Sequence, residues 1–197
     1  MTWEYEEKAW ANGYGSVCGV DEAGRGPVAG PVCAAAVILP AGIVIEGLND
    51  SKKLSEKKRE KLFDEITENA LAWSVSLVDE RVIDEINILQ ATYEAMREAV
   101  GKLSRAPRIL LNDAVRIPGI AIPQVPIIKG DAKSVSIAAA SILAKVTRDR
   151  LMYEYDKIMP EYGFASHKGY GSKVHIEALQ KYGPSPIHRK TFITHFC

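Results

Sequence analysis

The hydrophobic positions of this chain change period several times, and each change marks an element. Thr2 to Ala11 has its apolar residues at helical spacing, with Trp3 and Trp10 on one side, which predicts a short helix stopped by Gly13. Val17-Cys18-Gly19-Val20 reads as a strand giving way to Asp21-Glu22. A glycine-rich turn, Gly24-Arg25-Gly26-Pro27, follows, and Val32 to Leu39 is a second, continuously apolar strand. So short a connection implies an antiparallel pair. Ile43-Val44-Ile45 is a candidate third strand. From Ser55 the period lengthens: Ser55 is placed to cap a helix on which Leu62, Phe63 and Ile66 share a face. Leu71, Trp73, Val75 and Leu77 then alternate as in a strand, and Asn87 is placed to cap a helix in which Leu89, Tyr93, Met96, Val100 and Leu103 recur every three or four residues.

Ile109-Leu110-Leu111 is a short strand ending at Asp113. Ile120 to Ile128 is extended but carries Pro123 and Pro126, which suits an edge strand, and it runs into Lys129-Gly130-Asp131. Ser134 caps a helix whose first turns are apolar almost all round, from Val135 to Leu143, so this helix is expected to be buried, its alanines permitting close approach to a sheet. The tail from Tyr162 holds a loop, Ser166 to Ser172, and a short helix near Val174 to Tyr182. Hairpin strands followed by strand–helix–strand units predict an α/β fold: a mixed sheet flanked by helices with a small helical C-terminal segment from about residue 160. With no repeat, low-complexity tract or linker, residues 1–197 are expected to form one domain.

Composition narrows the function. Of the 197 residues, 47% are hydrophobic and 25% charged, the balance of a globular chain with a real core rather than a disordered or fibrous one. The longest apolar run, Val32 to Leu39, is too short to span a bilayer, and the acidic Met1-to-Glu7 start is unlike a signal peptide. Cys18, Cys33 and Cys197 have neither disulfide nor zinc spacing, so the chain is expected to be cytoplasmic. A net charge of zero hides a split: residues 1–128 carry 14 Lys/Arg against 19 Asp/Glu, and residues 129–197 carry 11 against 6. A basic C-terminal third is what a phosphate-backbone partner requires, although ordinary mixed surfaces also show such splits.

Function in open α/β sheets collects beyond the carboxyl ends of strands, and there the sequence places Asp21, Glu22, Asp113 and Asp131. Singly, each is an ordinary turn former or cap. Together in one layer they would repel, raising pKa values and costing stability unless a cation sat among them. An oxygen-only set favours a hard ion, Mg²⁺ or Mn²⁺, and such clusters serve phosphoryl chemistry. A metal-dependent nuclease or phosphatase is the reading that follows. Gly24-Arg25-Gly26 allows close backbone approach and offers N–H donors, with Arg25 able to meet phosphate. In the loop around His167 to Ser172, Tyr170 could stack on a sugar or base while Lys168 contacts phosphate. His167, His175, His188 and His195 have no metal-site spacing and read as surface or supporting groups.

The block Gly19-Val20-Asp21-Glu22-Ala23-Gly24-Arg25-Gly26-Pro27-Val28-Ala29-Gly30-Pro31-Val32 closely resembles the opening motif of bacterial ribonuclease HII, the type 2 ribonuclease H. The resemblance continues through Leu48 to Ser55, Ile86 to Thr92, Lys129 to Val146 with Arg148 and Asp149, His167 to Gly171, and His175, in family order over nearly the whole chain. It implies an RNase H-like fold and endonucleolytic cleavage of RNA paired to DNA, including single ribonucleotides embedded in duplex DNA. The family cuts 5′ to the ribonucleotide by two-metal-ion catalysis, leaving 3′-hydroxyl and 5′-phosphate ends. Its four metal ligands fall on Asp21, Glu22, Asp113 and Asp131, and its 2′-hydroxyl-reading backbone on Gly24, Arg25 and Gly26. The tyrosine that stacks on the neighbouring deoxyribose falls on Tyr170. Lys168, together with Arg148 or Lys145, is expected to hold the duplex backbone. Nothing in the sequence calls for a membrane or an obligate protein partner, so a monomer is expected. Leu111-Asn112-Asp113-Ala114 departs from the family, which usually has an apolar residue before the acid and glycine after it, and Ser172 stands where threonine is commoner. Ribonuclease HIII, whose early motif differs, and a catalytically silent hybrid-binding module are the competing readings.

Overall fold

The computed structural model describes residues 1–196. In chain order the elements are α1 Glu4–Ala11, β1 Val17–Ala23, β2 Val32–Ile38, α2 Glu56–Asn69, β3 Ala72–Val78, α3 Glu80–Ile86, α4 Ile88–Gly101, β4 Ile109–Asp113, β5 Gln124–Ile127, α5 Gly130–Lys133, α6 Val135–Ile158, α7 Phe164–His167, α8 Lys173–Tyr182 and α9 Lys190–Ile193. The five strands form one sheet in the order β3-β2-β1-β4-β5. β1–β2 and β2–β3 are antiparallel, whereas β1–β4 and β4–β5 are parallel. The proline-bearing β5 lies at the edge, where Pro126 leaves no central ladder bond unmade.

Period-2 alternation sorts the sheet residues onto two faces. Cys18, Val20, Ala34, Ala36 and Leu110 pack against Ala91, Ala95, Met96 and Ala99 of α4. Cys33, Ala35 and Val37 pack against Ala139, Ala140 and Leu143 of α6. The alanines of α6 do what the sequence suggests and bring its axis close to the sheet. The contact is tightest at Gly19, where an added Cβ would lie 2.2 Å from the Ser136 carbonyl carbon and oxygen. Ser134 caps α6, its hydroxyl accepting from the Ile137 N–H at 3.1 Å, and Glu6 of α1 receives both the Ser134 hydroxyl and the Ser136 N–H.

Several expectations change. Ile43–Ile45 is irregular chain, not a strand; Ile45 is buried against α2 and α6 by its side chain alone. β3 forms, but its apolar alternation faces the less buried side: Leu71, Trp73 and Leu77 are exposed, while Ser74 and Ser76 point inward and bond to Ala99 and Glu98 of α4. Trp73 is covered on one side by Phe63 of α2, their ring centroids 6.0 Å apart. α3 escaped the pattern because it has only seven residues; Asp79 caps it by accepting from the Arg81 and Val82 N–H groups at 3.0 Å.

Candidate active site

The carboxylates converge because β1 and β4 run parallel in a register that sets Asp21 level with Asp113, β1 running on past the expected stop at Asp21-Glu22 to Ala23. Val20 pairs with Asn112, so Asp21 and Asp113, the next residues, project to the same face, towards α6. Asp113 pairs with Ile127 of β5; the chain then turns through Lys129 at φ +57° and enters α5 with Asp131 at its second position. Asp131 therefore comes from a short helix rather than from a strand end. Ligand oxygens of Asp21, Asp113 and Asp131 all lie within 4.8 Å of one another.

Each acid is held through one oxygen. Asp21 Oδ1 accepts from the Glu22 N–H at 2.7 Å, and Asp113 Oδ1 from the Gly130 N–H at 2.7 Å. Lys52 Nζ lies 3.3 Å from Asp131 Oδ2. Glu22 stands at the next position on the wall. Its Oε1 is 3.4 Å from the Arg25 guanidinium, and its buried Oε2 has no partner among the described residues. Burial pushes the Asp21 carboxyl well above its ordinary value, and the charges of Glu22 and Asp113 push it further. Burial likewise raises Glu22 and Asp113, with Asp113 acting on Glu22 and Asp131 on Asp113. Lys52 is raised despite the opposing cost of its burial, because Asp131 and Asp21 face it. Clustered, partly desolvated carboxylates with an orphaned oxygen beside them and no nitrogen or sulfur donor fit a hard divalent cation.

Beside the acids is a cleft of about 200 Å³ lined by Glu22, Gly24, Arg25, Gly26, Lys52 and Tyr170, among others. Gly24 has φ +94°, which a side chain resists, and a Cβ there would also strike the Arg148 side chain at 2.1 Å. Gly26 faces Tyr170: a Cβ built on it would stand 3.6 Å from the tyrosine ring. Among the described residues, the N–H groups of Gly24, Arg25 and Gly26 have no acceptor. Tyr170 is 48% exposed and free to meet a ligand with its ring.

The assignment of Lys168 to the duplex backbone needs correction. Lys168 does not point into the cleft: it is buried, its ammonium donates to the Ala165 carbonyl and sits 4.0 Å above the Tyr153 ring, a cation–π arrangement that uses its charge internally. Arg148 and Lys145 both line the cleft, Arg148 buried with its guanidinium given to three backbone carbonyls and Lys145 half-buried and paired with Asp149 at 2.7 Å. Of the basic residues in the C-terminal third, Arg148, Lys168 and Arg189 are thus turned inward and Lys145 is half-buried, while Lys129, Lys133, Arg150, Lys157, Lys173, Lys181 and Lys190 stay exposed. Of the two readings of the histidines, surface or supporting, the second holds for His175 and His188, which are buried, 0% and 2% exposed.

These histidines support the Tyr170 loop. The Ser185 N–H donates to His188 Nδ1 at 2.9 Å, His188 Nε2 meets His175 Nε2 at 3.0 Å, and His175 Nδ1 meets the Tyr170 carbonyl at 2.8 Å. With Nδ1 of His188 accepting and Nδ1 of His175 donating, both rings are satisfied only when neutral. His167 stacks on His175 with centroids 4.2 Å apart. Burial, reinforced by the neighbouring imidazoles, lowers both His175 and His188 to about 4. A folded pKa below the unfolded value of about 6.5 means that the network's stability is complete above pH 6.5 and is lost as pH falls towards 4. The raised acids change in the opposite sense, so the expected result is a difference. The Tm advantage of the wild type over His188→Asn shrinks between pH 7 and pH 5 in parallel melts; a constant gap contradicts the neutral pair.

The departure around Asp113 also has a physical reading. Ala114 adopts φ +55°, the conformation that favours glycine, at a cost on the order of 1 kcal/mol. The polar Asn112 is wholly buried but donates to Gln124 Oε1 at 2.8 Å, and Gln124 also bonds both backbone groups of Ile117, fixing the 114–123 loop.

A mixed five-stranded sheet with a carboxylate cluster at the ends of its central parallel strands, beside a cleft with free backbone donors, defines a nuclease of the ribonuclease H fold. A family profile described as Ribonuclease HII matches residues 18–195. Ribonuclease HII of Lachnoclostridium phytofermentans is 66% identical over 180 residues, covering 91% of this chain and 71% of that protein. Among solved structures, ribonuclease H2 from Pyrococcus horikoshii OT3 superposes with a TM-score of 0.74 at 32% identity, covering 89% of this chain and 93% of the other. RNase HII from Archaeoglobus fulgidus, solved in complex with PCNA, also gives 0.74, at 27% identity and coverages of 91% and 94%. The chain belongs to the ribonuclease HII family. It is a ribonuclease H, an endonucleolytic hydrolase acting on RNA/DNA hybrids, and the divalent-metal dependence of its family agrees with the carboxylate cluster. Among the described residues, no helix is long and apolar enough to cross a membrane.

Proposed function

We propose that this enzyme, besides cutting the RNA strand of hybrids, nicks duplex DNA on the 5′ side of a single embedded ribonucleotide, leaving 3′-hydroxyl and 5′-phosphate ends. The observation that carries the reading is a cleft lined by Glu22, the unbonded N–H groups of Gly24–Gly26 and the exposed ring of Tyr170, with Glu22 next in the chain to Asp21 of the carboxylate cluster. Asp21, Asp113 and Asp131, with Glu22 beside them, would hold two divalent ions, Mn²⁺ or Mg²⁺. Bound there, the ions would activate water and neutralise charge developing on the phosphate.

The chain's own groups supply selection and orientation. Asp21 and Asp113 are fixed by the N–H bonds to one oxygen each, leaving the other oxygen for coordination. Arg25 and Lys52, both exposed at the cleft, carry positive charge to where the phosphates must lie. The Gly24–Gly26 backbone reads the 2′-hydroxyl, the group that separates ribonucleotide from deoxyribonucleotide. A site built to bond a hydroxyl rejects the analogue lacking it by roughly 10⁴-fold. Tyr170 stacks on the sugar of the next nucleotide, where a deoxyribose fits best. Action as a monomer in the cytoplasm completes the reading.

Tyr170→Ala tests it. Loss of a stacking platform worth about 1–3 kcal/mol lowers cleavage at a single embedded ribonucleotide by roughly 10- to 100-fold, with Tm unchanged because the ring is exposed. Equal activity of variant and wild type on that duplex removes Tyr170 from substrate recognition.

A further inference from the structure

Two buried arginines, Arg189 and the cleft-lining Arg148, lie directly behind the Gly24–Gly26 turn. Arg189 is 0% exposed and Arg148 1%, and neither has a carboxylate within 4.0 Å among the described residues. Their donors go to backbone carbonyls instead. Arg189 Nε donates to the Gly30 carbonyl at 2.9 Å, and its two terminal nitrogens to those of Arg25 at 2.9 Å and Gly24 at 2.6 Å. Arg148 donates to the carbonyls of Pro31 at 2.9 Å, Ala29 at 3.0 Å and Lys168 at 2.9 Å. Burying two unpaired like charges is expensive, and burial together with the Arg148 charge lowers Arg189 to about 9. A turn that needed only to be closed could be closed more cheaply.

The peptide plane explains the arrangement. In a trans peptide the carbonyl of one residue and the N–H of the next point in opposite directions. Arg189 holds the Gly24 and Arg25 carbonyls inward, so the N–H groups of Arg25 and Gly26 must point outward, on the cleft side, where they have no acceptor among the described residues. Only a planar fork can hold both carbonyls and that of Gly30 at once; an ammonium is a point donor without that geometry.

We propose that Arg189 is the positioning residue for ribonucleotide recognition: by clamping the Gly24 and Arg25 carbonyls it fixes the outward orientation of the Arg25 and Gly26 N–H groups that meet the 2′-hydroxyl. Arg148 braces the layer behind, tying Ala29–Pro31 to Lys168, two residues from Tyr170. This rests on the reading of the Gly24–Gly26 turn given above, and it adds the element that makes the turn selective.

The test uses Arg189→Lys and Arg189→Ala. Binding is measured by fluorescence anisotropy in Ca²⁺, with a duplex containing one ribonucleotide and the matching all-DNA duplex as probes. The wild type binds the ribonucleotide duplex more tightly. In Arg189→Lys that preference narrows by about tenfold, the worth of one misdirected hydrogen bond, while all-DNA binding and the Mn²⁺-induced rise in Tm are unchanged. Millimolar guanidinium, but not urea, restores cleavage in Arg189→Ala. A lysine variant keeping the full wild-type preference overturns the proposal. So does a variant that loses all-DNA binding and the Mn²⁺ response together with the preference, since that reports general collapse. A wild type that shows no preference removes the underlying reading of the turn instead, and is recognised by its being independent of the variants.

Discussion

Replacing Asp21 or Asp131 by asparagine is expected to abolish cleavage while leaving a folded protein, for Asp21 one at least as stable as the wild type in the absence of metal. The two halves of this result share one cause. Asp21 is 4% exposed and faces Glu22 and Asp113, so its ionised form is destabilised by both burial and like charge. Asparagine keeps the shape and removes the charge. What is lost is the ability to hold a divalent ion, whose contribution to the transition state is several kcal/mol; at about 1.4 kcal/mol per factor of ten, kcat falls by roughly 10³-fold or more. Asp131→Asn releases only Lys52, an exposed side chain, and so costs little stability. In thermal melts the wild type gains Tm on addition of Mn²⁺ and both variants lose that gain. A variant with turnover within tenfold of the wild type would take that carboxylate out of the mechanism.

The largest expected effect on stability comes from a single methyl group away from the cleft. In Gly19→Ala the new Cβ would lie 2.2 Å from the Ser136 carbonyl and 2.6 Å from the Ile137 nitrogen. These are backbone atoms at the start of α6, so no side-chain rotation relieves the clash, and strand and helix must separate. Overpacking of this kind costs about 3 kcal/mol or more, equivalent to a drop in Tm of roughly 10 °C for a chain of this size. Activity falls too, because β1 carries Asp21 and the segment entering α6 carries Asp131. Gly15→Ala is the matched control: nothing lies within 4 Å of its added Cβ, and its Tm shift is expected within about 2 °C. Equal melts for the two variants would contradict the close β1–α6 packing.

The parts of the molecule legible in the sequence are those where local pattern and tertiary demand agree. Ser55, Asn87 and Ser134 each cap the helix that their spacing suggests, because capping is a local hydrogen bond. The acids at Asp21 and Asp113 were visible near the carboxyl ends of strands, although β1 runs on to Ala23, and the parallel register that joins them follows from the crossover that leads from β3, itself parallel to β1, through α3 and α4 to β4. What was hidden depends on which side of an element is covered. The Leu71–Leu77 alternation marks a strand correctly, yet the more deeply buried face is that of Ser74 and Ser76, because α4 supplies partners for their hydroxyls. Lys168 misled, and the roles of Arg148, Arg189 and the histidine pair stayed hidden, for a related reason. A charged or polar side chain reads as surface in a sequence, and only the three-dimensional supply of carbonyls around each shows that it is core. Arg189 left one signal, its place beside His188 in a short polar stretch before Phe192, but nothing in that spacing names the carbonyls it serves.

The central claim, a metal-dependent carboxylate site joined to a ribose-reading turn, is tested most directly with an end-labelled DNA duplex containing one ribonucleotide, beside an all-DNA control, in Mg²⁺, Mn²⁺ or EDTA. A single nick on the 5′ side of the ribonucleotide, present with metal, absent with EDTA and absent from the control, is the predicted result. Cleavage that survives EDTA, or cuts the all-DNA duplex equally, would contradict it.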